Sequence, residues 1–476
     1  MRLDTSTDPQ VGYRPSGALS ISTALLPYSG PFTPRHAAHL LRRAAFGGTR
    51  AEVDAISGLG AQAAVSQLLH PTEPELALPD YPDTASLYDR KARRLAAQNW
   101  WIDRMLRTKR PLAEKMTLFW HGHFATSIVK VPPVLMVEQI DLFRRQGLGD
   151  FRTLLSAVSK NPAMLVWLDN RTNSKIHPNE NYAREVMELF TLGLGNYTED
   201  DVRNAARAFT GWTTDRQGRY IYRDALHDDG SKTLLGRSGN LTGDDALATI
   251  VAQPAHPRFI CRKLLEYFVY SDPEPELTEA LAQTYVISGY DVARTAATIF
   301  RSNVFYSTRA YRALPKSPID FTIGLLRFMQ VDGAPKETLY WMRRMGQEPL
   351  APPSVKGWDG GPTWINTATL LARFNYVNRL VKTGAVATGT TAAAYPGFTP
   401  DSVVQEAGGM DPDRVLEAIA RDALQDDVTS DVRLALGRYL ASSDATLPTP
   451  FGPENYQEKI RGALALALNL SANQLN

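Results

Sequence analysis

The segment 177–193, HPNENYAREVMELFTLG, carries the helical periodicity on which our assignment of the fold class rests. At 3.6 residues per turn, its charged and amide side chains share one face of a helix. The opposite arc is apolar and contains Tyr182, Ala183, Val186, Met187, Leu189 and Phe190. Pro178 and Asn179 stand in front of it as first-turn and capping residues. The pattern predicts an amphipathic helix over 180–192.

Similar helix signals recur on both sides of this segment. Thr33 and Pro34 open one helical stretch, and Gly47 with Gly48 ends it. The pattern changes near 213–245, where alternating polarity and turn residues predict a small β-hairpin insert. The sequence therefore predicts a mainly α protein, with a large single-domain multi-helix fold that carries this insert.

The domain boundaries follow from composition. Residues 1–32 are expected to form an extended or disordered lead-in to a single α-helical domain over 33–476. The segment near 383–402 is rich in small residues, so we expect a flexible surface loop there. The start of the chain has no basic region feeding an apolar run, which predicts a cytoplasmic protein without a signal peptide.

Composition also narrows the classes of partner. Lys plus Arg number 52 and Asp plus Glu 50, so the net charge gives no argument for nucleic acid or an anionic membrane as a partner. The single cysteine, Cys261, excludes intramolecular disulfides and zinc sites built from several thiolates. No stretch reaches the roughly 18 apolar residues of a membrane span, so none is expected.

The polar face of the predicted helix 180–192 has two interpretations. Glu180 and Arg184 have the i,i+4 spacing of an ordinary ion pair on a solvated helix face. In the functional interpretation, Glu185 or Glu188 acts as a base or binds a cation. Arg184 would then hold an anionic group of the substrate, because its planar fork suits carboxylate or phosphate. Asn181 is a candidate binding residue on the same face.

A second candidate site is the pair His121 and His123 in the segment FWHGHF. If this segment is extended, residues two apart point to the same side and both imidazoles can bind one divalent metal. A carboxylate from elsewhere, Glu185 or Glu188, would be the third ligand. The alternative is structural: His121 ends a helix, and His123 packs among aromatic side chains.

A third candidate is the loop KGWDGGPTW at 356–364. Glycine-rich loops with tryptophans line ligand pockets for sugars, so Trp358 and Trp364 are candidate stacking residues. The alternative is a rigid loop that packs both rings against the core. The phosphate-binding, dinucleotide-binding and nucleophile-elbow motifs are absent from the sequence, which removes sequence support for those enzyme classes.

Several blocks of the sequence together resemble the bacterial family catalogued as domain of unknown function 1800. They are HLLRRAAFGGTRAEVDAI, KMTLFWHGHFATS, the long block from WLDN to FTGW, HPRFICRKL, and the block from MGQEPL to ARFN. The resemblance runs from about Thr33 to the last residue. It implies a mostly helical fold, frequent export, and a partner protein of alkaline-phosphatase-like fold. It supplies no catalytic residues.

These observations leave three hypotheses about function. The first is a metal-assisted enzyme, a hydrolase that acts on a polar polymer, a glycan or an anionic small molecule. The second is a non-enzymatic protein that binds a glycan or a component of the cell envelope. The third is Mg-dependent phosphotransfer, for which the sequence offers no phosphate-cradling loop.

Overall fold

A computed structural model describes residues 20–72, 90–383, 385–388, 391–394, 399–425, 428–442 and 450–476. Its α-helices begin with α1 (Ile21–Ala24), α2 (Pro34–Ala44), α3 (Arg50–Ser57), α4 (Gly60–Leu69), α5 (Arg90–Arg107), α6 (Pro111–His123) and α7 (Pro133–Gln146). Next come α8 (Phe151–Ser159), α9 (Pro162–Trp167), α10 (Glu180–Glu188), α11 (Glu199–Ala208), α12 (Gly243–Val251), α13 (Ala255–Phe268), α14 (Pro275–Ile287) and α15 (Val292–Arg301). The last seven are α16 (Pro318–Phe328), α17 (Thr338–Arg344), α18 (Thr367–Thr383), α19 (Pro400–Glu406), α20 (Pro412–Leu424), α21 (Ser430–Ala441) and α22 (Tyr456–Leu468).

The strands form three two-stranded antiparallel hairpins in the described residues. They are β1 (Trp212–Thr214) with β2 (Tyr220–Tyr222), β3 (Lys232–Leu234) with β4 (Arg237–Gly239), and β5 (Ala385–Thr388) with β6 (Thr391–Ala394). The register pairs Thr213 with Ile221 in the first hairpin and Thr233 with Ser238 in the second. Two of the hairpins lie where the small β insert is predicted. The expectation of a mainly α fold with such an insert is confirmed.

The chain forms two compact units whose segments alternate along the sequence. The central unit consists of 67–299 and 347–360, and the terminal unit of 1–66, 300–346 and 361–476. The domain predicted over 33–476 therefore comprises segments of both. The chain passes from one unit to the other within α4, within α15, and around the loop 347–360.

The central unit is organised around pairs of adjacent helices. Helix α13 packs on α14, α10 on α11, and α6 on α7. The apolar face of α6 contributes Trp120, which is fully buried with its indole N–H donating to the Gly147 carbonyl at 2.7 Å. Trp101 on α5 is buried as well, and its indole N–H donates to Glu114. Because each of these rings has a partner for its polar atom, the unit can bury them at little cost.

The terminal unit has an apolar cluster formed by its last four helices. Helices α19, α20, α21 and α22 pack on one another. The side chains of Ile419, Leu440 and Ile460 lie in the centre of the cluster and are buried. Helix α2 packs on α3, which begins with a capping box: Thr49 accepts from the Glu52 backbone, and the Glu52 carboxylate accepts from the Thr49 backbone.

Two segments that the sequence predicts to lack regular structure contain helices or strands. Residues 1–19 of the predicted lead-in lie outside the described residues, but α1 follows immediately, and Pro27 forms a β-bridge with Ser302. The loop predicted near 383–402 contains the hairpin of β5 and β6 and the start of α19, and its residues 384, 389–390 and 395–398 are outside the described part of the chain.

The length and polarity of the helices show whether any of them could span a membrane. Among the helices of the described residues, none combines the length and the apolar character needed to cross a lipid bilayer.

Candidate functional site

Helix α10 forms within the predicted range and with the predicted faces. The side-chain carbonyl of its N-cap, Asn179, accepts a hydrogen bond from the backbone N–H of Asn181 at 2.9 Å. The helix ends at Glu188, and Gly193 adopts a φ of 80° as its N–H donates to the Met187 carbonyl. The buried face consists of Tyr182, Ala183, Val186 and Met187. The polar side chains are thereby held on the other face.

The guanidinium of Arg184 is already engaged. Its two terminal nitrogens each donate to a carboxylate oxygen of Glu199 at 2.7 Å, and one also donates to Glu180 at 3.3 Å. Hydrogen bonding to Glu199 raises the pKa of Arg184 above its usual range. The bidentate contact with Glu199 occupies the N–H groups of the guanidinium that would otherwise bind an anionic group of a substrate. The substrate-binding role of Arg184 stays a prediction.

Glu185 and Glu188 lie one turn apart on the polar face, and Asn181 lies one turn before Glu185. The hydroxyl of Tyr197 donates a hydrogen bond to Glu188. Within the described part of the chain, no side chain donates a hydrogen bond to Glu185, whose carboxyl is half-buried. Burial, and then the neighbouring charge of Glu188, raise the pKa of Glu185 above its ordinary value. The polar face of α10 therefore presents a row of one amide and two carboxyl groups, and Tyr197 holds the last of them, Glu188, in place.

His121 and His123 lie on a helix, not on the extended segment that the metal hypothesis assumes. Helix α6 continues through Gly122 to His123, so that expectation of an extended segment is wrong. Residues two apart on a helix are separated by about 200° around its axis, so the two rings leave the helix on different sides. They have different neighbours as a result.

The His121 ring is fully buried between two tryptophans. Its centroid lies 5.2 Å from that of Trp101 and 5.6 Å from that of Trp358, both edge to face. Neither ring nitrogen has a hydrogen-bond partner among the described residues. Burial lowers the pKa of His121 to about 3, so its imidazole is neutral at physiological pH.

The His123 ring has a hydrogen-bond partner. Its Nε2 donates to the Phe190 carbonyl at 3.0 Å, and its ring packs against Phe119 and Phe259. Burial lowers the pKa of His123 to about 3, although the hydrogen bond to Phe190 opposes the shift. His123 thus joins α6 to the segment that follows α10, on the apolar side of that helix.

The loop KGWDGGPTW approaches α6 closely. A Cβ placed on Gly357, whose φ is +84°, would lie 2.3 Å from the Gly122 carbonyl oxygen, so only glycine allows this approach. Trp358 is half-buried, with its ring against His121. Trp364 belongs to the terminal unit, where it is 8% exposed, so little of its ring is available for stacking on a sugar.

The predicted site residues therefore form separate groups. The His121 ring packs against Trp358, and His123 donates to the Phe190 carbonyl just after α10. Glu185 and Glu188 lie on the opposite, polar side of α10. In the ranges that the structure describes, no three His, Cys, Asp or Glu side chains are grouped so that they could hold a metal ion. The divalent metal stays a prediction.

Sequence reasoning missed two partners of the polar face, Tyr197 and Glu199. Both lie beside the start of α11, which packs on α10. A signal was present: Thr198 and Asp201 have capping-box spacing, and the structure shows both of the expected hydrogen bonds. That capping box fixes the start of α11 soon after the turn that ends α10. Tyr197 and Glu199, on either side of Thr198, therefore lie next to the polar face of α10.

The comparisons with known proteins identify a family and add no chemistry. The family model described as "Protein of unknown function (DUF1800)" matches residues 39–473, nearly the whole chain. No curated protein and no solved structure matches the chain. Because the family model covers well over half of the sequence, the chain belongs to the DUF1800 family.

Proposed function

We propose that this protein is a hydrolase that acts on a polar polymer or a glycan, with Glu185 as its general base. The observation that carries the proposal is the half-buried carboxyl of Glu185, whose pKa is raised by burial and by Glu188. A carboxyl group with a raised pKa takes up and releases protons nearer to neutral pH, as general acid–base catalysis requires.

The neighbours of Glu185 support this role. The Tyr197 hydroxyl donates to Glu188 and so fixes the second carboxylate in place. Burial, followed by the hydrogen bond to Glu188, raises the pKa of Tyr197 to about 12, so its hydroxyl stays protonated and remains a donor. Asn181 is exposed one turn before Glu185, where its amide is available to the hydroxyl groups of a polar substrate.

The proposal contains no step through a metal. The rings of His121 and His123 leave α6 on different sides, and among the described residues neither joins Glu185 or Glu188 in a ligand group. The divalent metal predicted from the sequence is therefore a separate proposal. Elemental analysis of the purified protein tests it, and less than about 0.2 metal ion per chain would contradict it.

The experiment for the hydrolase is a screen with two matched variants. Purified protein is incubated with a panel of neutral and acidic polysaccharides, and new reducing ends are measured between pH 4 and 8. We expect Glu185→Gln to lose at least about a hundredfold in rate, because a general base contributes about that much. Glu276→Gln, at an exposed carboxylate on α14, is the control and should keep full activity. Hydrolysis that survives Glu185→Gln would contradict the proposal.

A glycan-binding protein without catalysis is the second candidate, and the partly exposed ring of Trp358 favours it. Affinity electrophoresis in gels that contain the same polysaccharides distinguishes the two. A binding protein would be retarded in the gel without releasing reducing ends, and Trp358→Ala would abolish the retardation while Glu185→Gln would not. Co-purification with tagged chain tests the alkaline-phosphatase-like partner that membership of the family implies.

A further inference from the structure

A groove lies between α8 and α12 in the central unit. Helix α12 packs on α8, and the groove is lined by residues of both helices and by Tyr290, which lies between α14 and α15. Its other lining residues are mainly apolar: Leu155, Leu247, Ala248, Val251 and Ala252, with the polar Arg152, Ser156 and Asp244. Among the described residues that line the groove, none belongs to α10, so binding of a ligand there does not require Glu185.

An ion pair lies at each end of the groove. Asp244, in the first turn of α12, accepts a hydrogen bond from Lys160 at 2.6 Å. Arg152, in the first turn of α8, donates to Asp150 at 2.7 Å. Since a helix rises about 1.5 Å per residue, Arg152 and Lys160 are separated by about 12 Å along α8. The groove is therefore elongated and its charges are balanced, which favours a neutral, extended ligand over a small ion.

A tyrosine side chain also lies at each end. The Tyr290 ring lines the groove, and the Arg152 guanidinium carbon lies 5.2 Å from the centroid of that ring. The centroid of the Tyr220 ring, on β2, lies 6.0 Å from the Lys160 Nζ. Both tyrosines are half-buried, so part of each remains accessible to a ligand. Burial, and then the charge of Asp244, raises the pKa of Tyr220 to about 12, so its hydroxyl stays protonated and can donate a hydrogen bond.

The backbone of Tyr290 is strained. Its φ is +67°, in the left-handed region that a bulky side chain rarely adopts. Its N–H donates to the Tyr285 carbonyl at 2.9 Å, and its carbonyl accepts from the Phe151 N–H at 3.0 Å. Such conformations are energetically unfavourable and concentrate at functional sites. The Tyr290 ring is thus held in the groove against this strain, as expected for a residue that contacts a ligand.

We propose that this groove binds a chain of a neutral glycan. A sugar ring has an apolar C–H face that stacks on an aromatic ring, and hydroxyl groups that donate and accept hydrogen bonds. Tyr290 and Tyr220 supply one ring at each end, and the apolar side chains between them pack against C–H faces. Ser156 and Asp244 supply partners for the hydroxyl groups. Such a combination of apolar walls with a few polar groups is typical of ligand sites.

Native affinity electrophoresis of the full-length chain tests the groove, in gels that contain a neutral β-glucan, a neutral mannan or an acidic polygalacturonate. We expect retardation in at least one of the neutral gels and none in polygalacturonate. Ala248 is exposed on the α12 side of the groove, so Ala248→Arg should fill the groove without disturbing the core, and weaken binding about tenfold or more. Ala55→Arg adds the same charge at an exposed alanine of α3 and should bind like the wild type.

Tyr290→Asn tests the aromatic ring itself. Asparagine tolerates the left-handed backbone, so this variant removes the ring and keeps the turn, and binding should again weaken about tenfold or more. If this variant fails to fold, Ala248→Arg still decides the matter, because its substitution lies at an exposed position.

Three results would overturn the proposal: no retardation of the wild-type chain in either neutral gel, retardation of Ala248→Arg equal to that of the wild type, or an equal loss in Ala55→Arg. Loss of retardation in Trp358→Ala but not in Ala248→Arg would likewise place the binding at the loop 356–364. Retardation by way of the groove without release of reducing ends would contradict the proposed hydrolase alone. Release of reducing ends that Glu185→Gln abolishes, without retardation, would contradict the groove alone.

Discussion

The two units deal with buried charge in opposite ways. In the central unit, Glu114 is 1% exposed and accepts hydrogen bonds from Arg144 at 2.7 and 2.9 Å and from the Trp101 indole at 2.6 Å. In the terminal unit, Lys316 and Arg42 stand among further cations around a cavity. The first arrangement places a carboxylate against the buried guanidinium, whereas in the second the charges that act on Lys316 are mostly positive.

The pKa values of the buried arginines are shifted in opposite directions in the two units. Burial alone would lower the pKa of Arg144, but Glu114 and then Asp141 raise it above its usual range. Burial lowers the pKa of Arg43 to about 9 and that of Arg373 to about 10, and Asp320 only moderates both shifts. Carboxylates beside a buried arginine can thus raise its pKa above the usual range, whereas a carboxylate that only moderates the effect of burial leaves the pKa lowered.

The largest effect is expected from breaking the matched pair. Glu114→Gln removes the charge that pairs with Arg144 and leaves a buried cation, which should lower the free energy of unfolding by about 3–5 kcal/mol. Urea denaturation followed by far-UV circular dichroism measures it, with Glu276→Gln as the control. A loss below about 1 kcal/mol would show that Asp141, at 3.1 Å from Arg144, balances the guanidinium without Glu114.

A smaller effect is expected for the exposed pair on α10. The side chains of Arg184 and Glu199 are 33% and 62% exposed, so water screens their attraction. Arg184→Ala should therefore lower the free energy of unfolding by less than about 1 kcal/mol. The same urea titration measures it. A loss near that of Glu114→Gln would mean that this surface network is as tightly coupled as the buried pair.

In the terminal unit, removing one half-buried cation should cost little. Lys316→Met deletes a charge that its cationic neighbours repel while retaining the apolar volume, so the free energy of unfolding should change by less than about 1 kcal/mol in either direction. The same urea titration measures it, and a loss of several kcal/mol would indicate that Lys316 belongs to a matched pair.

The last prediction is a change in pH dependence. The pKa of Asp422 is raised from 3.8 to about 7 by burial and by Glu406, so the folded state binds this proton more tightly than the unfolded state. Its contribution to stability is present at low pH and is lost as the pH rises from about 4 through 7. In Asp422→Asn, the difference in urea midpoint between pH 5 and pH 8 should shrink. An unchanged difference would contradict the raised pKa.

Local sequence patterns predict the helices well. The faces and the cap of α10 and the capping box of α3 are short-range features that depend on residues three or four apart. Helix α6 shows where this reasoning fails. The glycine at 122 predicts an interruption, but a glycine costs a helix only about 1 kcal/mol, and the packing of Trp120 and His121 beside it outweighs that cost.

The sites are predicted less completely, because they depend on long-range contacts. Glu185 and Glu188 can be identified as one polar stripe because both lie on one helix, but the partial burial of Glu185 depends on tertiary packing. In the terminal unit, Arg42 lines the same cavity as Arg312 and Lys316, which are some 270 positions away in the sequence. No local pattern connects residues at that separation, so its charge can be recognised only in the folded chain.

The segment 347–360 has a consequence for how the protein is made. It contributes the Leu350 carbonyl that accepts the Ile128 N–H at 2.8 Å and the Pro349 carbonyl that accepts from Gln98, both within the central unit. A ribosome must therefore translate past the whole segment 300–346, which belongs to the other unit, before the central unit can close these bonds. The central unit therefore cannot be completed until two segments of the terminal unit have been synthesised, and nascent chains released before residue 360 would be natural substrates for chaperones and proteases.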